Sequence, residues 1–114
     1  MLQRVILFSL WLALFSTTQG AESLKPLRAL LITGGGFHNY PFQVIALTNA
    51  VARLAQVEWT VVNEGGSGTK AQIPLYDNPD WAKGYDVVVH NECFADTTDT
   101  NYIRKIVQAH KAGV

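Results

Sequence analysis

Leu30, Leu31, Ile32 and Thr33 run straight into Gly34, Gly35 and Gly36, and Phe37, His38, Asn39 and Tyr40 then lead to Pro41. No other stretch limits the fold so tightly. A continuous apolar run of this kind suits a strand buried on both faces. The glycines remove every Cβ from the backbone that follows, so the chain can turn sharply or approach another segment closely. A proline next favours the first turn of a helix, where its missing N–H costs nothing. Strand, glycine turn and helix together open a parallel α/β sheet. In such sheets ligands bind beyond the carboxyl ends of the strands.

The rest of the chain continues that pattern. The first strand is predicted over 27–33, broken only by Arg28. A helix over 41–55 follows, with Val44, Ile45, Leu47, Val51 and Leu54 at helical spacing on its buried stripe. Over 57–62, Val57, Trp59 and Val61 alternate with Glu58 and Thr60, which places this strand near an edge of the sheet. The connection over 64–80 is rich in glycine and interrupted by proline, and a long irregular loop in a compact domain is commonly functional. Ile73, Leu75, Tyr76 and Trp81 should fold it back onto the body, with a short helical turn near 79–83. A third strand over 85–90 closes in His90, Asn91, Glu92 and Cys93. Thr98 or Asp99 then caps a final helix with Ile103, Ile106 and Val107 inward, Gly113 at its end, and Val114 opening another strand. Two helices cannot cover both faces of a parallel sheet, so the chain is expected to be the N-terminal part of a longer, C-terminally incomplete α/β domain.

The chain has 114 residues, 48% apolar and 16% charged, which fits one small globular domain. Nine basic residues balance nine acidic ones and form no basic cluster, so no nucleic-acid partner is expected. The first twenty residues stand apart. Arg4 precedes an apolar run from Val5 to Phe15 broken only by Ser9, and Thr18 and Gly20 are small enough for a cleavage site. Residues 1–20 are therefore expected to be a signal peptide cut between Gly20 and Ala21, giving a secreted or periplasmic protein. The run is shorter than the roughly 20 residues that cross a bilayer, so no stable membrane span should remain after cleavage. Residues 21–26 form a short tether, and 27–114 the domain. Cys93 is the only cysteine, which excludes an internal disulfide.

Two clusters could carry chemistry. The turn of Gly34, Gly35 and Gly36 could cradle an oxygen anion on its amides, or could be a tight turn that needs positive φ. Its spacing fits neither a P-loop nor the dinucleotide fingerprint. If the first and third strands are neighbours, His38 and Asn39 face His90, Asn91, Glu92 and Cys93 across a cleft. His38 and Glu92 are then the candidate general acid/base pair, with Gly34, Gly35, Gly36, Asn39, His90, Asn91 and Cys93 lining the ligand. His38, His90 and Glu92 could also ligate a metal such as zinc, but no metal-binding spacing backs this, so no metal is assigned and the cofactor is left open. Cys93 is either a small buried residue or a nucleophile. A strained nucleophile turn has glycines two residues to either side, where this chain has Asn91 and Ala95. Trp59, Trp81, Tyr40 and Tyr76 either stack on a sugar ring or pack the core.

The segment from Leu30 to Tyr40, with Val57 to Thr60 and Tyr85 to Cys93, resembles the ThuA-like, or trehalose-utilisation, family over about residues 27–114. Its most specific parts are the Gly34-Gly35-Gly36-Phe37-His38-Asn39 turn and the His90-Asn91-Glu92-Cys93 strand end. The resemblance implies a flavodoxin-like three-layer sandwich related to class I glutamine amidotransferases, in exported proteins of sugar metabolism, with a sugar-like small molecule as ligand. Family members usually carry an aspartate where this chain has Asn39, which removes a possible acid. By comparison with the amidotransferases, Cys93 falls in the loop that helps form the oxyanion hole, and glutaminase activity is not implied. The leading expectation is a carbohydrate-metabolising domain. The alternatives are a non-catalytic sugar-binding or protein-interaction module and, more remotely, a cysteine-dependent amidase.

Overall fold

The computed structural model describes residues 24–70 and 72–113. The expected signal peptide with its cleavage site, and the strand expected to open at Val114, lie outside the described residues. The chain forms β1 (Leu27–Gly35), α1 (Tyr40–Val51), β2 (Val57–Asn63), a short 3-10 helix (Pro74–Asp77), β3 (Val87–Cys93) and α2 (Thr100–Lys111). The three strands are parallel in the order β2-β1-β3, with Leu27 opposite Val57 and Ala29 opposite Val87. This is a small parallel α/β sheet. Among the described residues no helix is long and apolar enough to cross a membrane.

β1 is central because it can be buried on both sides. Ala29, Leu30, Leu31, Ile32 and Thr33 are all buried, and burying each large aliphatic side chain contributes roughly 1.5–3 kcal/mol. Its exposed start is tied to the entry of β3: Arg28 N donates to Asp86 Oδ2 at 2.8 Å, Asp86 N to Arg28 O at 2.8 Å, and the Arg28 guanidinium pairs with Asp86 Oδ1 at 2.9 Å. β2 takes the edge its alternation implied.

Successive side chains of a strand point to opposite faces. On one face Leu30 and Ile32 pack with Ile73, Tyr76, Trp81, Ala82 and Tyr102, so the long connection folds back to form the main core together with α2. On the other face Asn91 reaches Thr33 and Gln43, which places α1 on that side. Hydrogen-bonded turns run over 79–84, where a short helical turn was expected, with Lys83 N donating to Asp80 O at 2.9 Å, and they follow a 3-10 helix at Pro74–Asp77 that Pro74 starts and in which Tyr76 is buried.

Both helices differ from the expected phase. α1 ends at Val51, four residues short of the predicted end, and the chain leaves it through a turn. Val44, Leu47 and Val51 are half-buried, but Ile45 and Leu54 stand in solvent, Leu54 at 89% exposure. α1 is apolar nearly all round, so spacing alone could not choose its inner side. α2 begins as expected, with Asp99 Oδ1 accepting from Asn101 N and Tyr102 N. Its inner stripe is Tyr102, Ile106 and Ala109, while Ile103 and Val107 are each 42% exposed. Tyr102 sets that phase: its ring is buried and its hydroxyl accepts from Ile73 N at 2.9 Å. Gly113 follows the helix at φ 103, where a left-handed residue ends many helices.

Candidate functional site

β1 runs two residues further than predicted, so Gly34 and Gly35 belong to the strand. Both have positive φ, 144 and 107. A Cβ on Gly34 would collide with the Glu64 carbonyl oxygen, and one on Gly35 with the carbonyl oxygen of Cys93. These glycines let backbone approach backbone. Gly35 N donates to Gly66 O at 2.9 Å, so that amide is already engaged. The loop around Gly66 thus lies over the end of β1. It is pinned to the β3–α2 connection, where Thr69 Oγ1 donates to Asp96 Oδ2 at 2.6 Å and Asp96 N to Thr69 O at 2.9 Å.

Beyond the glycines the backbone changes character. Phe37 has φ 79, a left-handed conformation that a bulky residue rarely adopts, yet its side chain is 77% exposed. His38 is exposed beside it, its ring edge-on to Tyr40 with centroids 5.8 Å apart. The amides of Gly36, Phe37 and His38 make no backbone–backbone hydrogen bond among the described residues. Asn39 caps α1, its Oδ1 accepting from Phe42 N at 3.2 Å. Tyr40 is buried and donates its hydroxyl to Gly36 O at 3.0 Å, which braces the turn. Burial, helped by the nearby Cys93, raises the Tyr40 hydroxyl above the ordinary tyrosine range, so it remains a donor.

β3 runs through Cys93, and this separates residues the sequence reading grouped together. His90 and Glu92 face the main core, whereas Asn91 and Cys93 face the side of α1. On the core side the groups converge. His90 Nδ1 lies 2.8 Å from Glu92 Oε1, and the Tyr76 hydroxyl donates to the same oxygen at 2.5 Å and stands 3.2 Å from His90 Nδ1. His90 Nε2 in turn lies 2.8 Å from His110 Nε2. Glu92 is 13% exposed, and its Oε2 is buried with no partner among the described residues. Burial first, then the bond to Glu92, pushes the Tyr76 hydroxyl well above the ordinary tyrosine range, so it too is a permanent donor. On the α1 side, Asn91 Nδ2 reaches Gln43 Oε1 at 3.3 Å.

Of the expected site residues, the fold brings His90 and Glu92 into direct contact and places Gly34 and Gly35 opposite Glu92 and Cys93 in the strand register. No hydrogen bond or ring contact joins His38 to His90 or Glu92 among the described residues, nor Cys93 to an imidazole. Among those residues no group of three or more histidine, cysteine or carboxylate side chains could hold a metal ion. Trp81 and Tyr76 serve the core. Three contributors escaped the sequence reading: Phe37, Tyr76 as the partner of Glu92, and His110. The signal for His110 was its spacing of four and eight residues from Ile106 and Tyr102 along one helix face. A surface depression of about 690 Å3, lined in part by Pro26, Thr48, Ala52, Gln56, Val57 and Trp59, lies at the amino ends of the strands, away from both clusters. Compared with models of known families, with curated proteins and with solved structures, the chain matches none.

Proposed function

We propose that this chain is an exported ThuA-like domain, built on the flavodoxin-like, class I glutamine amidotransferase-like plan, that binds a sugar or sugar derivative at the carboxyl ends of its strands. The reading places it in carbohydrate metabolism of the trehalose-utilisation kind. The observation that carries the binding site is Phe37, an aromatic ring left in solvent on a strained backbone at the end of the glycine turn. Strained conformations of this type gather at ligand clamps. Its open face can pack on the apolar side of a pyranose ring. The neighbouring His38 imidazole then addresses a ring hydroxyl, and the Gly36 to His38 amides are placed to take a ligand oxygen. Phe42, 65% exposed in the first turn of α1, widens the apolar surface.

A second reading, catalysis through Glu92, is favoured by the buried Oε2. Buried acceptors nearly always have a donor, and a ligand hydroxyl is one that this carboxylate could receive and deprotonate. His90 and Tyr76 would hold it in place. Both readings are separated by calorimetry against a panel of mono- and disaccharides, run beside a turnover assay on the full chain. Saturable binding that weakens at least about tenfold in Phe37→Ala and His38→Ala supports the binding site, a loss in keeping with one buried aromatic contact. Product formation abolished by Glu92→Gln with binding retained supports catalysis. No binding by any sugar would end the proposal.

A further inference from the structure

We propose that the amino-terminal end of the sheet is a membrane-docking face, on which exposed leucines enter the headgroup layer of an anionic bilayer while Lys25 and Arg53 meet its phosphates. Leu24, Leu27 and Leu54 surround one depression of about 570 Å3, together with Lys25, Arg53 and Gln56. Leu24 is 85% exposed, Leu27 46% and Leu54 89%. The backbone at Leu27 and Leu54 is hydrogen-bonded: Leu54 N donates to Val51 O at 2.8 Å, Ala55 N to the same oxygen at 3.0 Å, and Leu27 N to Gln56 O at 3.0 Å. These two leucines therefore stand outward on a fixed frame. Half-buried Trp59 lines the neighbouring depression, which shares Ala52, Ala55 and Gln56 with this one. Leucine and tryptophan beside lysine and arginine form the composition that settles into a headgroup layer.

Charge selects the occupant. Neither Lys25 nor Arg53 forms an ion pair among the described residues. The nearby carboxylates are directed at Arg28: Asp86 binds its guanidinium at 2.9 Å, and Glu58 stands opposite it in the register of β1 and β2. A second copy docked through the same face about a two-fold axis would bring both sets of basic side chains to the rim of one apolar contact, which is repulsive. Lipid phosphates instead complement them. Position argues the same way. Phe15 ends the N-terminal apolar run nine residues before Leu24, a reach of at most about 30 Å. While that run is held in a membrane during export, the amino-terminal end of the sheet is the end kept near the bilayer. Phe37 and the end of β3 lie at the other end of these parallel strands, so docking leaves their carboxyl ends open to solution.

The test is vesicle co-sedimentation of the full chain carrying Leu10→Glu and Leu14→Glu, which charge the N-terminal apolar run so that it cannot carry the binding itself. Vesicles of phosphatidylcholine alone are compared with vesicles of equal parts phosphatidylcholine and phosphatidylglycerol. Binding should be stronger to the anionic vesicles and should weaken with salt. In this parent, Lys25→Glu with Arg53→Glu should lower partitioning into the anionic vesicles by about twentyfold or more, from roughly fivefold per basic residue. Leu24→Ser with Leu54→Ser should lower it by about tenfold or more. Ile45, 60% exposed on α1 but outside the depression, supplies the control, and Ile45→Ser should bind as the parent does. Every substituted side chain of the described residues is exposed, so the fold is kept. Absence of binding to the anionic vesicles, binding that either double substitution leaves unchanged, or an equal loss in Ile45→Ser refutes the docking face. So does sedimentation equilibrium in which the parent dimerises and Leu24→Ser with Leu54→Ser restores the monomer, which would give the face to a second copy.

Discussion

Gly35→Ala separates a glycine kept for backbone packing from one kept for a ligand. At φ 107 an alanine pays the left-handed penalty, roughly 1–2 kcal/mol. Its Cβ would also overlap the Cys93 carbonyl oxygen and lie 2.8 Å from the carbonyl carbon. The obstacle is the backbone of a paired strand, which cannot swing aside, and overpacking of this kind costs roughly 1–3 kcal/mol. The stiffer unfolded chain offsets roughly 0.4–1 kcal/mol. A net loss of roughly 1–4.5 kcal/mol follows, a large fraction of the stability of any small domain.

Two further glycines isolate the components. Gly66 has φ 67 but nothing within 4 Å of its Cβ position, so Gly66→Ala should show the conformational penalty alone, a net of roughly 0–1.5 kcal/mol. Gly68 is equally open, and no left-handed φ applies there, so Gly68→Ala should be neutral or stabilising by up to roughly 1 kcal/mol. Urea denaturation of the three variants gives the series directly. With slopes of roughly 1–3 kcal/mol per molar, Gly35→Ala should move the midpoint down by on the order of 1 M or more with the slope unchanged. If Gly35→Ala and Gly66→Ala agree to within about 0.5 kcal/mol, the close approach of Cys93 is not what demands a glycine, and the packing account fails.

Other perturbations follow from the same structure. Tyr76→Phe removes the donor to Glu92 Oε1 and should destabilise the domain by about 1.5–3 kcal/mol in urea at neutral pH, the range for a hydrogen bond to a charged group. Asn39→Ala should cost about 0.5–2 kcal/mol through loss of the α1 cap, whereas Asn39→Asp should restore it, since a carboxylate both caps and complements the helix dipole. The side-chain and backbone hydrogen bonds from Arg28 hold Asp86 down to about 2. A carboxylate depressed on folding stabilises at pH values above its unfolded value and loses that contribution as pH falls through its folded one. Stability should therefore decline more steeply between about pH 4 and 2 in the wild type than in Asp86→Asn, by a modest and salt-sensitive amount because the pair is exposed.

The fold was legible where burial on both faces leaves a continuous apolar run. Leu30 to Thr33 announced the central strand, and the alternation of Val57 to Val61 announced the edge. What failed to read were quantities set by partners remote in sequence. β3 extends through Cys93 because Gly34 and Gly35 offer it two more pairing positions, and that extension turns Asn91 and Cys93 away from His90 and Glu92. A loop at the same four residues would have allowed one shared wall.

The phase of α2 shows the same dependence and carries the larger consequence. By side-chain type alone, Ile103, Ile106 and Val107 are the better core stripe. Tyr102 overrides them because Ile73 N, far away in the long connection, needs an acceptor once it is buried, and the tyrosine hydroxyl supplies it. Moving the stripe back to Tyr102 carries the face on through Ile106 to His110. That rotation delivers an imidazole to His90, so a hydrogen-bonding requirement in a loop fixes which histidine meets Glu92's partner. Satisfying Ile73 N by another route would free the helix to turn its isoleucine stripe inward, and the network at the end of β3 would lose its outer member.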